Sequence, residues 1–140
     1  MTYKIDTPEL NYLYVKESQI PHSGRGLFTA INIYNEEVIS LFKGEILSGK
    51  EANKRAIDAS DGYFINLPDG TTLDSMNVKC FAKYANDVSG FVKSKFKTNS
   101  YITLDDEENV CIAATRNILK GEEIFCSYGK AYWKKYKRQK

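Results

Sequence analysis

The chain has 140 residues, of which 42% are apolar, 27% charged and 13% aromatic, and its formal net charge is +2. These values predict one folded domain and argue against a disordered chain. No apolar run approaches the roughly 18 residues of a membrane-spanning helix. The N-terminus also lacks the hydrophobic region of a signal peptide, so we expect an intracellular protein without a membrane partner.

The charges are unevenly distributed along the chain. Six of the 20 basic residues lie in 130–140, which contains no acidic residue, and this leaves 14 basic against 18 acidic residues elsewhere. A mildly acidic body with a basic tail is not typical of nucleic-acid-binding domains, so we expect no direct nucleic-acid site. Such a body could attract a cationic peptide, although an ordinary solvated surface explains the charge pattern equally well.

Cysteine and histidine are sparse. Cys80, Cys111 and Cys126 form no CxxC pair, and His22 is the only histidine. This spacing does not match a structural zinc site, so we expect no metal. Buried, reduced thiols are the simplest interpretation. A nucleophilic pair of a cysteine with His22 is a weaker alternative, because no local motif accompanies it.

Short strands dominate the first half of the predicted structure. Residues 1–11 carry little pattern and are expected to form an arm. Segments rich in aromatic and β-branched residues predict strands at 12–16, 27–30 and 38–42. A loop of turn residues at 21–26 separates the first two strands. Ser48 and Glu51 form a capping-box pattern, which predicts a helix from there to about Ala59.

Strand patterns return in the second half. Strands are predicted at 63–67, 71–73, 101–104, 110–114 and 124–128. Two of the turns between them are hairpins: Pro68-Asp69-Gly70 and the charged tip at 105–109. A short helical turn is predicted at 80–84. Because strands and helices do not alternate, the fold class is mainly β.

An internal similarity links two distant segments. Residues 32–39 and 117–124 share four of eight positions at an offset of 85. Each places a polar turn between two strand patterns. We therefore predict two similar hairpins rather than a solenoid repeat.

Three short motifs say little when each is considered alone. Gly24-Arg25-Gly26 lacks the third glycine and the helix of a dinucleotide-binding fingerprint, although paired glycines let a backbone approach a ligand. Tyr84-Ala85-Asn86-Asp87 has the composition of a polar turn. Tyr128 beside Gly129 resembles a packing aromatic at a strand end.

In combination and in this order, the motifs resemble the SET-domain lysine methyltransferases. The resemblance runs from about Ser18 to Trp133 and is most specific in the block from Ala114 to Gly129. It implies a fold of several small sheets with a C-terminal pseudoknot and one or two short helices. The SET-like domain would then occupy residues 12–133, followed by a basic tail at 134–140.

The resemblance also implies a site for S-adenosylmethionine. Its candidate cofactor-binding residues are Gly24, Arg25, Gly26, Tyr84, Asn86, Tyr132 and Trp133. Gly24 and Gly26 match the family's glycine pair, whose backbone lies against the methionine part of the cofactor. Asn86 matches the asparagine of the Asn-His-Ser motif, and Tyr132 or Trp133 would stack on the adenine. Asn99 matches a second asparagine with a structural role.

Catalysis is assigned by the same resemblance. Tyr128 matches the tyrosine of the family's terminal Tyr-Gly motif and is the first candidate catalytic residue. Tyr63 resembles the channel tyrosine, through a looser match, and is the second. Cys126 would line the substrate channel with Tyr63, and its small side chain favours the addition of more methyl groups.

The chemistry of methyl transfer agrees with a site that lacks histidine and metal. The transfer is an in-line displacement, so the lysine nitrogen, the methyl group and the sulfur must be collinear and close. The lysine amine must be neutral, and an apolar channel beside a sulfonium lowers its pKa from about 10.4. The resemblance therefore implies a protein-lysine N-methyltransferase acting on a basic protein or peptide, with a histone tail as the first candidate and the nucleus as the expected location.

Two positions depart from the family pattern. Asp87 stands where the family has histidine, and Val88 stands where it has serine. The alternative that these departures leave open is a SET-like module that binds a peptide or protein without catalysis.

Overall fold

A computed structural model of the protein describes residues 2–57, 64–67, 69–88 and 96–127. In these ranges the strands are β1 (Tyr3–Lys4), β2 (Leu13–Glu17), β3 (Arg25–Thr29), β4 (Glu37–Leu41), β5 (Glu45–Leu47), β6 (Phe64–Asn66), β7 (Thr72–Asp74), β8 (Ser100–Leu104), β9 (Val110–Ala114), β10 (Glu123–Ile124) and β11 (Cys126–Ser127). The helices are α1 (Gly49–Ile57) and two 3-10 turns, Glu9–Asn11 and Ala82–Tyr84. The mainly β prediction is confirmed.

The strands form three small sheets. The largest has the order β1-β4-β9-β8-β11, in which β1 and β11 each pair in parallel with their neighbour. A second sheet has the order β10-β3-β2, and a third has the order β5-β7-β6. No helix in the described residues is long and apolar enough to span a membrane.

A single apolar cluster joins the first two sheets. Its buried members come from β2, β3, β4, β9, β10, β11 and the 3-10 turn at 82–84 and include Leu13, Leu27, Ile39, Ala82, Ile112, Ile124 and Cys126. Tyr12 also belongs to it, and its hydroxyl donates a hydrogen bond to the Ile39 carbonyl at 2.7 Å. That bond satisfies the polar end of a side chain that is otherwise surrounded by apolar groups.

The two similar segments of the sequence pack against each other. Ile33 and Ile118, both fully buried, form an antiparallel bridge with reciprocal hydrogen bonds of 2.8 and 2.7 Å. The side-chain oxygens of Asn32 and Asn117 each accept a main-chain N–H of the opposite segment at 2.9 Å. The predicted hairpins are therefore wrong: each segment pairs with the other copy, and β4 and β10 enter different sheets.

The capping box is confirmed. The Ser48 hydroxyl accepts the Glu51 N–H at 3.2 Å, and the Glu51 carboxylate accepts the Ser48 N–H at 3.4 Å. These reciprocal bonds satisfy main-chain donors at the start of α1. The helix is described up to Ile57, and the last predicted positions lie outside the described residues.

Two strands were not predicted, and one predicted strand is divided. β1 lies in the segment expected to be an arm, where Glu9 also accepts hydrogen bonds from the Ser40 hydroxyl and the Leu41 N–H. β5 consists of only three residues. The strand predicted at 124–128 is interrupted at Phe125, so that β10 joins the second sheet and β11 joins the largest. The described residues include the passage of the chain from β10 in the second sheet to β11 in the largest sheet, up to Ser127. The rest of the expected pseudoknot lies outside the described residues.

Candidate functional site

Asn86 connects three segments that the sequence analysis assigned to one site. Its side-chain amide donates a hydrogen bond to the Arg25 carbonyl at 3.1 Å. Its main-chain carbonyl accepts the Cys126 N–H at 2.8 Å, and Asn86 forms a parallel bridge with Phe125. The loop that carries the glycine pair (residues 21–26, the glycine loop), the Asn86 segment and the C-terminal strand β11 are therefore in direct contact.

The glycine pair lies where β3 begins. Gly24 is exposed and has a φ of +70°, a conformation that glycine adopts without strain. A Cβ added there would meet no atom of the described residues within 4 Å, so among those residues nothing obstructs the close approach of a ligand to this backbone. Gly26 is buried, and the side chain of Arg25 between them is exposed. The loop is closed by the Ser18 N–H, which donates to the Gly24 carbonyl at 2.8 Å.

Asn99 fixes the interruption between β10 and β11. Its side chain is 1% exposed, its Oδ1 accepts the Phe125 N–H at 2.8 Å, and its Nδ2 donates to the Glu123 carbonyl at 2.9 Å. The Ser100 hydroxyl donates to the Phe125 carbonyl at 2.8 Å. These bonds replace the ladder that a continuous strand would make, in agreement with a structural role for Asn99.

Cys126 belongs to the apolar core. It is 1% exposed, and burial, with a smaller contribution from the Asp87 carboxylate, raises the pKa of its thiol far above the usual range. The thiol therefore stays protonated at neutral pH and is not a nucleophile. Its role in the substrate channel stays a prediction.

Tyr84 lines a cavity of about 660 Å³. Its ring lies in the 3-10 turn at 82–84, and the Lys83 ammonium is 5.5 Å from the ring centroid. The cavity is lined by residues from the 8–10 segment, by Val15 and Leu41, and by positions in 79–84. Among the described residues, its lining includes neither the glycine pair nor Asn86.

The remaining site residues lie outside the described ranges. They are Tyr63, Tyr128, Tyr132 and Trp133. In chain order, Tyr128 directly follows β11, whose position is fixed by Asn86 and by Ser100. The catalytic and adenine-stacking roles of these four residues stay predictions.

The described part of the site offers main-chain groups and the Asn86 amide as hydrogen-bonding partners. Asp87 and Val88, which follow Asn86, are both partly buried. Within 2–57, 64–67, 69–88 and 96–127, no group of three or more His, Cys, Asp or Glu residues could hold a metal ion.

Two residues that contact the glycine loop, Ser18 and Glu123, were not predicted as site residues. The only signal for Glu123 in the sequence is its position in the Gly-Glu-Glu-Ile block at 121–124.

Known proteins share both the sequence pattern and the fold. A model of the SET domain family matches residues 24–129. The histone-lysine N-methyltransferases EZ1 of Zea mays and CLF of Arabidopsis thaliana are 31% and 32% identical over 112 residues. The H3 lysine-36 specific histone-lysine N-methyltransferase of Saccharomyces cerevisiae is 29% identical over 115 residues. Each alignment covers 76% of this chain but only 11% to 15% of the relative.

A solved structure resembles the fold. It is a humanized mutant of the Chaetomium thermophilum Polycomb Repressive Complex 2 bound to the inhibitor GSK126. The TM-score is 0.67 at 24% identity, and the match covers 86% of this chain and 15% of the other. Because the family match spans well over half of the sequence, the resemblance inferred from the motifs is confirmed. The chain belongs to the SET domain family.

Proposed function

We propose that the protein transfers a methyl group from S-adenosylmethionine to the side-chain amine of a lysine in a basic protein, with a histone tail as the first substrate to test. The observation that carries this proposal is the junction at Asn86, which holds the glycine loop and the C-terminal strand together. Membership of the SET domain family and relatives that are histone-lysine N-methyltransferases support the same reaction.

The described residues fit the proposed cofactor. Gly24 presents open backbone on the exposed side of its loop, and Asn86 lies against the carbonyl of Arg25. A polar ligand with amino and carboxylate groups can bond to such backbone groups without obstruction by side chains. Gly24, Arg25, Gly26 and Asn86 would hold its methionine part, and Tyr132 or Trp133 would stack on the adenine.

The bound sulfonium would supply an electrophilic methyl group, and the protein would orient the nucleophile. In the proposed channel of Tyr63, Cys126 and Tyr128, removal of the lysine amine from water favours its neutral form. The Tyr128 hydroxyl would accept or donate a hydrogen bond that aligns the amine. The Cys126 thiol, protonated and buried, would act as an apolar wall.

The charge pattern supports a cationic substrate. Outside its last eleven residues the chain holds 18 acidic against 14 basic residues, which attracts a lysine-rich peptide. The chromatin context of histone-lysine methylation, together with the basic run 134–138, makes the nucleus the proposed location.

Incubation of the full chain with methyl-labelled S-adenosylmethionine and a panel of histones and other basic proteins tests the activity. We expect label on lysine, and loss of most of that label in a Tyr128→Phe variant. Tyr101→Phe, a substitution on an exposed tyrosine of β8, is the matched control and should keep full activity. Equal labelling by the Tyr128→Phe variant would refute the catalytic role of Tyr128. Absence of labelling by the natural sequence would refute the proposed activity.

A second candidate is a SET-like module that binds a peptide or protein without catalysis. It is favoured by Asp87 and Val88, which replace the histidine and serine of the family motif. Calorimetry with S-adenosylmethionine and S-adenosylhomocysteine separates the two candidates. Absence of both binding heat and thermal stabilisation would favour the non-catalytic module.

A further inference from the structure

The Glu123 carboxylate is buried against the loop that carries the glycine pair. The residue is 2% exposed and opens β10, which pairs antiparallel with β3. Its Oε2 accepts the Ser18 hydroxyl at 2.7 Å, and its Oε1 accepts the Gln19 main-chain N–H at 2.8 Å. Both carboxylate oxygens are thus bonded to the first residues of the segment that leads to the glycines.

Ser18 links the Glu123 carboxylate to Gly24 through further hydrogen bonds. The Ser18 hydroxyl also accepts the Ile20 N–H at 3.1 Å, and the Ser18 N–H donates to the Gly24 carbonyl. A continuous series of hydrogen bonds therefore runs from Glu123 through Ser18 to Gly24. A buried carboxylate is costly unless it is hydrogen-bonded, so its position and that of the loop depend on each other.

The two glycines are required for different reasons. Gly24 has a positive φ, and an added Cβ would meet no atom of residues 2–57, 64–67, 69–88 and 96–127 within 4 Å, so conformation rather than space determines its identity. Gly26 does not lie in the left-handed region, but an added Cβ would overlap Glu123 Oε2 and lie 2.9 Å from its Cδ and 3.2 Å from Ser18 Cβ. The Glu123 carboxylate occupies the space that a side chain at residue 26 would need.

We infer that Glu123 is a positioning residue for the glycine loop and that residue 26 is glycine in order to admit the Glu123 carboxylate. The carboxylate fixes Ser18 and Gln19, and through them it fixes the backbone at Gly24 against which the cofactor would lie. The cofactor part of this inference rests on the proposed function. Glu123 itself is enclosed by the loop and is not assigned a catalytic role.

The test combines single and double substitutions. Glu123→Ala and Gly26→Ala should each weaken binding of S-adenosylhomocysteine by roughly tenfold, since each removes or displaces the bonded carboxylate. The double variant should bind no more weakly than Glu123→Ala alone, because the overlap at residue 26 disappears with the carboxylate. Additive losses in the double variant would overturn the inference about Gly26.

Amide hydrogen exchange of residues 18–26 provides a readout that does not depend on the cofactor. We expect faster exchange of this segment in Glu123→Ala and, to a smaller extent, in Glu123→Gln, which keeps the shape of the side chain. Glu122→Ala is the matched control, because its carboxylate accepts the Leu119 N–H and should leave exchange in 18–26 unchanged. Unchanged exchange in folded Glu123→Ala would overturn the positioning role.

The two proposals fail in distinguishable ways. If the natural sequence does not bind S-adenosylhomocysteine, the proposed function fails, and the exchange experiment still decides whether Glu123 holds the loop. If Glu123→Ala does not fold, Ser18→Ala removes the same 2.7 Å hydrogen bond from the other side. That variant should also increase exchange near Gly24, and unchanged exchange would contradict the relay through Ser18.

Discussion

The side-chain amide of Asn86 lies 3.1 Å from the carbonyl oxygen of Arg25, a residue 61 positions earlier in the chain. The carbonyl of the same asparagine accepts the Cys126 N–H at 2.8 Å. One residue thus bonds both to the glycine loop and to the strand that precedes Tyr128, and together with the pairing of β3 with β10 it sets the distance between them. Because methyl transfer requires collinear groups, that distance matters to any reaction at this site.

Replacing Asn86 should weaken cofactor binding more than it weakens the fold. Asn86→Ala removes the hydrogen bond to Arg25 but keeps the main-chain bond to Cys126. We expect the dissociation constant for S-adenosylhomocysteine to rise roughly two- to tenfold, the range given by one net hydrogen bond. Isothermal titration calorimetry measures this change.

Asn53 on α1 offers a matched control for that experiment. It is an exposed asparagine outside the site, and Asn53→Ala should leave the affinity unchanged. Equal affinity in the Asn86→Ala and Asn53→Ala variants would show that the junction at Asn86 does not shape the binding site.

Replacing Asn99 should mainly destabilise the fold. Asn99→Ala leaves the Glu123 carbonyl and the Phe125 N–H without their side-chain partner in a buried environment. We expect the free energy of unfolding to fall by about 2–6 kcal/mol, because each of the two unsatisfied buried groups costs about 1–3 kcal/mol. Urea unfolding followed by fluorescence measures the change, and a loss no larger than that of Asn53→Ala would contradict this role.

The three cysteines should differ in reactivity. Burial, followed by the Asp105 carboxylate, raises the pKa of Cys111 to about 12, and the pKa of Cys126 is raised further. Cys80 is only partly buried. Iodoacetamide at pH 8 should therefore modify Cys80 first, as measured by peptide mass spectrometry, and all three should react in urea. Rapid modification of Cys126 in the folded protein would contradict its placement in the core.

The same pKa shifts predict lower stability at high pH. The thiols of the unfolded chain ionise at about pH 8.5, whereas the buried thiols stay protonated until higher pH. The contribution of these protonated thiols to the free energy of unfolding is complete below about pH 8.5. For Cys111 it is lost as the pH rises from there through about 12. Between pH 8 and 11 the melting temperature should fall less in Cys111→Ala than in the natural sequence. A parallel fall in both proteins would contradict this linkage.

The third sheet should depend on a buried carboxylate and its cation. Asp74 in β7 is 1% exposed, and its carboxylate accepts a hydrogen bond from the Arg55 guanidinium at 2.7 Å. The Glu45 carboxylate in β5 accepts a second hydrogen bond from the same guanidinium at 3.0 Å. Arg55→Met should lower the melting temperature more than Glu45→Gln, because only Arg55→Met leaves the buried Asp74 charge without its cation. The reverse order in a thermal melt would contradict this account.

Several parts of the fold follow from local chemistry and were predicted. The capping box at Ser48 and Glu51 specifies where α1 begins through two reciprocal hydrogen bonds. The hairpin between β8 and β9 is indicated by two strand segments rich in apolar and β-branched residues and by a charged tip, where Asp105 accepts two main-chain N–H groups. These signals lie within a few residues of each other, which is why they can be recognised in a sequence.

The errors all involve partners distant in sequence. β10 and β11 form an uninterrupted strand pattern, and the interruption at Phe125 depends on Asn99, whose side chain comes from a different part of the chain. The segments around Ile33 and Ile118 each resemble a hairpin, yet each pairs with the other. Within the candidate site, the order of motifs pointed to the segments of Gly24 and Asn86, which are in contact through the Arg25 carbonyl, but the contact of Glu123 with Ser18 has no counterpart in local pattern.

Titration of the 140-residue chain with S-adenosylhomocysteine tests the central claim most directly. We predict saturable binding to one site, stabilisation of the protein against heat, and weaker binding in the Asn86→Ala variant. The Asn53→Ala variant should bind like the natural sequence. If the folded protein shows neither binding heat nor thermal stabilisation with S-adenosylhomocysteine or S-adenosylmethionine, the proposed methyl transfer is contradicted.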